Sequence, residues 1–565
     1  MKKALVFIIC LAMCASLFAA CTIGGGGGAG GGGGAKKGPP LNDPGTWPVS
    51  KTKLNFKAVV TSDPAVEDFQ TNQLTTWLEE KTNVHIDFNT IASQGAQEQI
   101  AIMLSAGDLP DFFMNAAVPD MSAKFGMTEK LLIPLTKLVE TEMKHIHTTM
   151  TPEMLNSLKQ LNGEFYGLPI LTDCYHCRHA ARMWINTEFM KALGMDAPTT
   201  TDEFADWLRA VKNGDPNGNG QSDEIPLIGA RNGWHSTVDK FIMNAFLYYS
   251  FNVNPDADIS HHENGGWVLT DDNKIDTSMN KEEYREGLRY LNMLWKEGLI
   301  YDGSYNIDGQ TLIQIVENPD AERAGTIPSG WGGGFAQFPG ERYRHYTAIA
   351  PLKGPKGEQN SVTLHQLPYE ALWITEKCTN PPAVLRWADW FYTVEGTLTV
   401  RRGFENTAWK WPEQGAIGIN GLPAVWTQIT PWGTEPQNIT WVQRGVYNES
   451  DAFRLGQSTD PSIDIYSGDG LEQLLYKMTK EKMEPYARYN RAMKPLKYTE
   501  EQTQALSSVK VEYGNYVRQW HVEFVTGVKN IETDWNTYIN GLGAAGLTKL
   551  LEEMNKSHET LYGKK

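Results

Sequence analysis

Hydrophobic positions early in the chain alternate between segments with the two-residue period of a strand and segments with the period of a helix. Every second residue is apolar at Leu54, Phe56, Ala58 and Val60, which predicts a strand, and the same alternation returns in residues 84–88. After each predicted strand, apolar residues are spaced as on one face of a helix. They are Leu74, Trp77 and Leu78 after the first strand, and Ile100, Met103 and Leu104 after the second. A turn at residues 107–111 then leads into a short buried strand.

Later segments carry helix signals. Thr200 and Glu203 have capping-box spacing, and a buried helical face follows at Phe204, Trp207 and Val211. The C-terminal third is predicted to be mainly helical from the spacing of Val509, Tyr513, Tyr516, Trp520, Phe524, Trp535, Tyr538 and Leu542. Strands alternating with helices predict an α/β fold, in which ligands bind at the carboxyl ends of strands.

The first 20 residues have the pattern of a secretory signal peptide. Lys2 and Lys3 precede an apolar run that is too short for a spanning helix. Cys21 directly follows two alanines and resembles the lipobox cysteine that becomes lipidated; plain secretion, with cleavage near Ala20, is the alternative. Acyl chains on Cys21 would hold the protein at the extracellular face of the cell membrane.

Residues 21–50 are predicted to form a tether. Glycine fills positions 24–28 and 30–34, and such a segment cannot bury apolar surface. As a flexible coil it reaches roughly 30 Å from the membrane.

The rest of the chain is acidic and globular. The formal net charge is −16, which argues against nucleic acid as a partner and against a body that lies on anionic lipid. No later apolar run has membrane length. A body of this size should divide into lobes, and we expect a monomer.

Oxygen-bearing side chains recur at every second position in a loop at residues 215–224. The expected Ca²⁺ ligands are Asp215, Asn217, Asn219, Gln221 (through its carbonyl), Asp223 and Glu224. A hard cation takes six to eight oxygens, and Gly220 allows the sharp turn that would wrap them round one point. The loop is not an EF-hand, since Pro226 stands where a bidentate glutamate would be and a strand follows. The alternative is an ordinary Asn/Gly turn; the calcium would be structural.

Several short motifs occur in one order along residues 53 to the C-terminus. They are Gly-Asp-Leu-Pro-Asp at 107–111, Leu-Ile-Pro-Leu at 132–135, Tyr-Gly-Leu-Pro at 166–169, Leu-Gly at 193–194 with Pro-Thr-Thr at 198–200 and Glu-Phe at 203–204, Lys-Glu-Gly-Leu at 296–299, and Pro-Leu-Lys-Gly-Pro at 351–355. Together they resemble the extracellular solute-binding proteins of family 1, the receptor lipoproteins of ABC importers. The calcium loop resembles that of the larger, alginate-oligosaccharide-binding members.

This resemblance implies two α/β lobes that close on a ligand by hinge motion. We expect one lobe at residues 51–171 plus about 346–404, and the other at 172–345 plus about 405–565. The partners implied are an oligosaccharide and the transmembrane subunits of an ABC permease.

Aromatic and polar residues in loops after strands are the candidate sugar-binding groups. Sugars present apolar C–H faces ringed by hydroxyls, so flat aromatic platforms beside planar polar groups suit them. The candidates are Tyr175, His176, Arg231, Trp234, Trp331, Trp409 and Trp432. For any single loop tryptophan, the alternative is packing against its own loop.

Arg401, Arg402 and Arg444 could hold the carboxylate of an acidic sugar. We favour surface salt bridges for them instead, and hence a neutral oligosaccharide.

Sequence features of an enzyme are missing. No Gly-x-Ser-x-Gly elbow, Walker A loop, dinucleotide fingerprint or HExxH occurs. Cys174 and Cys177 lack the second pair that a zinc site needs, so a local disulfide or two free thiols stay open. We predict a non-catalytic receptor; a receptor for peptides or another solute, a surface glycoside hydrolase and a structural adhesin are the alternatives.

Overall fold

The computed structural model describes residues 39–254, 264–431 and 435–563. Fourteen strands are found in these ranges: β1 (Leu54–Thr61), β2 (Val84–Ile91), β3 (Phe112–Met114), β4 (Gly167–Thr172), β5 (Met183–Asn186), β6 (Ile225–Leu227), β7 (Trp267–Leu269), β8 (Ile275–Thr277), β9 (Ala324–Pro328), β10 (Tyr346–Ala348), β11 (Tyr369–Ile374), β12 (Trp409–Lys410), β13 (Thr427–Gln428) and β14 (Tyr447–Glu449). The signal peptide, Cys21 and residues 22–38 of the predicted tether lie outside the described residues. Residues 41–50, also predicted as tether, belong instead to the folded unit, because Val49 is fully buried and Trp47 packs against Trp77 and Trp390.

Helices connect these strands and make up the C-terminal part. They are α1 (Gln73–Thr82), α2 (Ala96–Ala106), α3 (Thr136–Glu142), α4 (Ile146–Thr149), α5 (Pro152–Ser157), α6 (Thr187–Leu193), α7 (Thr201–Asn213), α8 (Asp239–Met243), α9 (Glu282–Lys296), α10 (Gly309–Val316), α11 (Pro381–Asp389), α12 (Val394–Arg401), α13 (Asp451–Arg454), α14 (Leu471–Met478), α15 (Glu500–Thr526), α16 (Ile531–Ala544) and α17 (Leu547–Tyr562). No helix in the described ranges is long and apolar enough to cross a membrane.

A six-stranded sheet contains most of the early strands in the order β14-β4-β11-β3-β1-β2. Only β11 runs antiparallel to its neighbours. The carboxyl ends of the other five strands therefore lie along one edge, together with the first residue of β11, Tyr369. Ala58 and Val60 of β1 are buried on one face of this sheet and Val59 on the other.

A four-stranded sheet has the order β10-β5-β9-β6. β6 and β9 are parallel, so the loops that follow them leave from the same edge. Trp207 of α7 is fully buried under this sheet, and its indole Nε1 donates to Thr326 Oγ1 of β9 over 2.8 Å. The capping box at Thr200 and Glu203 is present, as the sequence indicated.

Two short strands pair across the lobe boundaries expected from sequence. β10 pairs with β5 in the four-stranded sheet, whereas a boundary at residue 346 assigns it to the first lobe. β14 pairs with β4 in the six-stranded sheet, although it lies in the range assigned to the second lobe. Residues 41–565 form one compact unit.

Candidate functional site

A cavity of about 380 Å³ is lined by strands of the six-stranded sheet and by the loops that follow β6 and β9 of the four-stranded sheet. Trp234 and Trp331 line it from the loops after β6 and β9, and Thr172, Tyr369 and Tyr447 line it from the six-stranded sheet. The position matches the general rule that ligands bind beyond the carboxyl ends of strands.

Two glycines of the loop after β9 make room for the indoles, that of Trp234 from the loop after β6 and that of Trp331 from the same loop. A Cβ at Gly330 would come within 2.3 Å of Trp234 Cε3, and one at Gly333 within 2.4 Å of Trp331 Cη2. The amide of Gly330 also donates to the carbonyl of Trp234 over 2.9 Å, which joins the two loops. Trp234 stays 41% exposed and offers an indole to the cavity.

Arginines of the cavity lining form buried ion pairs. Arg401 and Arg402 donate to the Glu449 carboxylate over 3.0 and 3.3 Å. Burial alone would raise the pKa of Glu449, but Arg401, Arg454 and Arg402 outweigh burial and lower it to about 2. Glu449 therefore stays ionised and holds both guanidinium groups in place.

A second glutamate ties His176 into the same wall. Glu472 accepts a 2.8 Å hydrogen bond from Arg454, and its other oxygen lies 3.1 Å from His176 Nδ1. Burial lowers the pKa of His176, although Glu472 acts in the opposite direction and raises it. Burial would raise the pKa of Glu472, yet Arg454 and His176 lower it.

Planar amides and a carboxylate complete the lining. Gln428, Gln443 and Gln457 face the cavity together with Asp469. Gln428 Nε2 donates to Asp469 Oδ1 over 2.9 Å, which orients both groups. Charged groups of both signs are thus present, and each arginine has a carboxylate partner.

Of the residues singled out in the sequence, His176, Trp234 and Trp331 line the cavity. Tyr175 is buried against Tyr476, with ring centroids 5.3 Å apart, and Arg231 is exposed outside the lining. Trp432 lies outside the described residues.

Trp409 has a different environment. It is fully buried, and its Nε1 donates to the carbonyl of Gly403 over 2.9 Å. Arg401 and Arg402 form buried ion pairs, so the surface salt bridges favoured from sequence are wrong for these two. Tyr369, Tyr447 and Gln443 had no sequence signal, because their place follows from the order of strands in the sheet.

Polar groups of the loop at residues 215–224 are hydrogen-bonded to one another. The side-chain amides of Asn217 and Asn219 both donate to Asp223 Oδ1, over 3.0 and 3.1 Å, and Asp215 accepts from the amides of Asn219 and Gly220. Gln221 is exposed.

Glu224 is the residue of this loop that fits a cation best. Both its carboxylate oxygens are buried without a hydrogen-bond partner, and burial raises its pKa. A buried carboxylate with no partner is costly, and a bound cation would remove that cost. The donor set of hard oxygens suits Ca²⁺.

Cys174 and Cys177 form a disulfide, which resolves the alternatives left open by the sequence. Within the described part of the chain, these cysteines and His176 are the one trio of His, Cys, Asp or Glu whose ligand atoms all lie within 4.8 Å. Since the sulfurs are bonded to each other, the trio is not a zinc site. The carboxylates of the 215–224 loop are spread more widely.

A second cavity of about 600 Å³ lies between the six-stranded sheet and the C-terminal helices. Glu370 and Lys497 line it: Glu370 accepts hydrogen bonds from Ser122 Oγ and the amides of Tyr166 and Gly167, and Lys497 Nζ donates to the carbonyl of Lys159. No tryptophan faces this cavity among its described lining residues. The smaller cavity, with its two indoles, is therefore the candidate ligand site.

Comparison with known proteins finds a matching family model and a relative that is similar over most of the chain. The family model of bacterial extracellular solute-binding proteins matches residues 58–397. The fructooligosaccharide ABC transporter substrate-binding protein FusA of Streptococcus pneumoniae serotype 4 is 23% identical over 532 residues, which are 92% of this chain and 93% of FusA.

Solved structures agree on the fold. A FusA EF-hand mutant from S. pneumoniae in complex with fructo-nystose matches with a TM-score of 0.72 at 22% identity, covering 90% of this chain and all of that one. Alginate-binding protein AlgQ2 without calcium ion matches with a TM-score of 0.60 at 18% identity, covering 90% of this chain and 99% of that one. These similarities confirm the two-lobe α/β fold with a helical C-terminal part.

Proposed function

The chain belongs to the bacterial extracellular solute-binding protein family, and we propose that it delivers an oligosaccharide to an ABC importer after binding it in the cavity between the two sheets. The family and the relatives named above are solute receptors, which is why we infer binding without catalysis.

The observation that carries the proposal is the pair of indoles opposite a polar wall. Trp234 and Trp331 offer flat apolar faces, while Gln428, Gln443 and Asp469 offer planar hydrogen-bonding groups. A pyranose or furanose ring has the complementary pattern of C–H faces and a hydroxyl rim. The name of FusA, a fructooligosaccharide receptor similar over nearly its whole length, supports the same ligand class.

We infer that the ligand is neutral. The three arginines at the cavity are paired with Glu449 and Glu472, so the lining presents no guanidinium without a carboxylate partner. An acidic sugar would have to compete with those partners for the same donors.

The two lobes are proposed to follow the two sheets. The first would contain the strands of the six-stranded sheet, including β14, and the second those of the four-stranded sheet, including β10. The chain crosses between them after β4, before β11 and after β14, and these crossings would form the hinge. Closure would bury the sugar and present both lobes to the permease.

We also propose that Cys21 carries the lipid anchor and that the receptor works as a monomer at the outer face of the cell membrane. The basic start, apolar run and cysteine after two alanines support this assignment.

Ca²⁺ is proposed as a structural ion of the 215–224 loop. Asp215, Asn217, Asn219, Gln221, Asp223 and Glu224 would hold it, and it would fix the turn between α7 and β6. The partnerless carboxylate of Glu224 supports this proposal, as do the solved structures whose names mention an EF-hand and a calcium ion.

Isothermal titration with a ligand panel tests the proposal. The panel contains kestose, nystose, malto-oligosaccharides, acidic oligogalacturonides and short peptides. We expect saturable one-to-one binding of a neutral oligosaccharide, and unchanged sugar after prolonged incubation with the protein. Tight binding of peptides alone, or release of shorter sugars, would contradict it.

A further inference from the structure

Arg182 is a fully buried arginine directly behind the cavity. It lies in the segment that leads from β4 to β5, and none of its surface is exposed. Its Nη1 donates to the carbonyl of Gly330 over 2.6 Å. Its Nη2 donates to the carbonyl of His176 and to Thr479 Oγ1, both over 2.7 Å.

Each of these three acceptors belongs to a different segment of the cavity wall. His176 lines the cavity itself, and Gly330 precedes Trp331 and supports the ring of Trp234. Thr479 donates in turn to the carbonyl of Leu475, in the helix that brings Glu472 and Leu475 to the cavity. One guanidinium therefore joins three separate pieces of chain.

Among the residues that the structure describes, no carboxylate balances the charge of Arg182. No ion pair with it is found in the described ranges, and its Nε has no hydrogen-bond partner. Burial lowers the pKa of this arginine to about 9. Placing an unpaired charge in the interior costs free energy that an apolar side chain would not.

We propose that Arg182 is the positioning residue of the ligand site: it never touches the ligand but fixes the distance and orientation of the two indoles relative to His176 and Glu472. Binding residues need neighbours that lock them in place, and the three hydrogen bonds of the Arg182 guanidinium hold three separate segments at fixed distances from one another. The inference deepens the proposed function and depends on it for the identity of the ligand.

The first test is hydrogen–deuterium exchange on the ligand-free protein, which needs no known ligand. In Arg182→Met we expect faster exchange of the amides of Cys177, Ala230 and Gly330, which are hydrogen-bonded in these loops. Arg386→Met is the matched control, because Arg386 is largely buried against Glu142 and does not line the cavity. It should lower the unfolding temperature without changing exchange in those loops.

The second test measures affinity for the tightest-binding sugar of the panel, with kestose tried first. Arg182→Met should weaken binding at least tenfold, and Arg182→Lys should restore part of the loss. Thr479→Val should weaken sugar binding about fivefold, which corresponds to the free energy of one hydrogen bond. The double variant should bind no worse than Arg182→Met, because both changes act on one contact. Arg386→Met should bind like the wild type.

The outcomes separate this inference from the proposed function. The positioning role would be overturned if Arg182→Met left exchange unchanged at the amides of Cys177, Ala230 and Gly330. It would also be overturned if Arg182→Met weakened binding no more than Arg386→Met. If the wild type binds no sugar while exchange rises only in Arg182→Met, the proposed ligand class is wrong and the role of Arg182 in fixing the loops stands.

Discussion

The tryptophans of this chain show that the position of one residue decides whether its side chain lines the cavity or packs in a core. Trp331 and Trp409 both stand in Gly/Pro-rich stretches without a helical period, so the sequence ranked them alike. The structure puts Trp331 at the cavity and encloses Trp409 in a core cluster. Sequence can predict that a tryptophan is not on a helical face, but the side of the loop it occupies depends on partners far away in the chain.

Removing an indole from the cavity is the most direct prediction at this scale. Trp331→Ala and Trp234→Ala should each weaken sugar binding at least tenfold, about 1.4 kcal/mol, because a stacking face is lost. Titration calorimetry measures this. Trp411→Ala is the control, since Trp411 is 48% exposed and does not line the cavity. Equal losses in all three variants would argue against the site.

The buried glutamate of the cavity predicts acid sensitivity. The pKa of Glu449 is about 2 in the folded protein, below the value of about 4.3 for a free glutamate. Because the folded-state pKa is depressed, its stabilising contribution is complete above about pH 4.3 and is lost as the pH falls towards 2.

Thermal unfolding between pH 6 and pH 2.5 checks this contribution. Glu449→Gln should unfold at a lower temperature than the wild type at pH 6, and the gap should narrow below about pH 4.3. Glu413→Gln changes an 85%-exposed glutamate and should leave the curve unchanged. A gap that stays constant with pH would contradict the depressed pKa.

At the scale of elements, strong local patterns were the reliable part of the sequence. The alternation at Leu54 to Val60 became β1, and the capping box at Thr200 began α7 one residue later. The short strands β10 and β14 could not be assigned to their sheets. Each has three residues, and each pairs with a strand distant in sequence.

The loop between α7 and β6 predicts a calcium response. Adding Ca²⁺ should raise the unfolding temperature by a few degrees and EDTA should reverse the rise, since an ion that binds only the folded state stabilises it by about 2.7 kcal/mol at a hundred times its Kd. Differential scanning calorimetry measures the shift, with Mg²⁺ as the comparison cation.

Glu224→Gln should abolish the calcium response because it removes the charge of the partnerless carboxylate. Asp272→Asn alters an exposed aspartate in another turn and should keep the response. A response that survives Glu224→Gln would place the ion elsewhere.

For the whole molecule, the expected event is closure of the two lobes. Small-angle scattering should show a smaller radius of gyration with saturating sugar, because the chain passes between the two sheets after β4 and before β11 and the cavity is lined from both. Trp331→Ala at the same sugar concentration should remain open, and a radius independent of ligand would exclude the hinged mechanism.

The position of β14 at the edge of the six-stranded sheet also determines how late in synthesis this sheet can be completed. Residues 447–449 pair with residues 170–172, so this sheet is incomplete until about four-fifths of the chain is available. Until then β4 is left as an open edge, which invites pairing with other chains. A nascent chain would thus finish its first sheet late, and a truncation before Tyr447 should aggregate rather than yield a stable half.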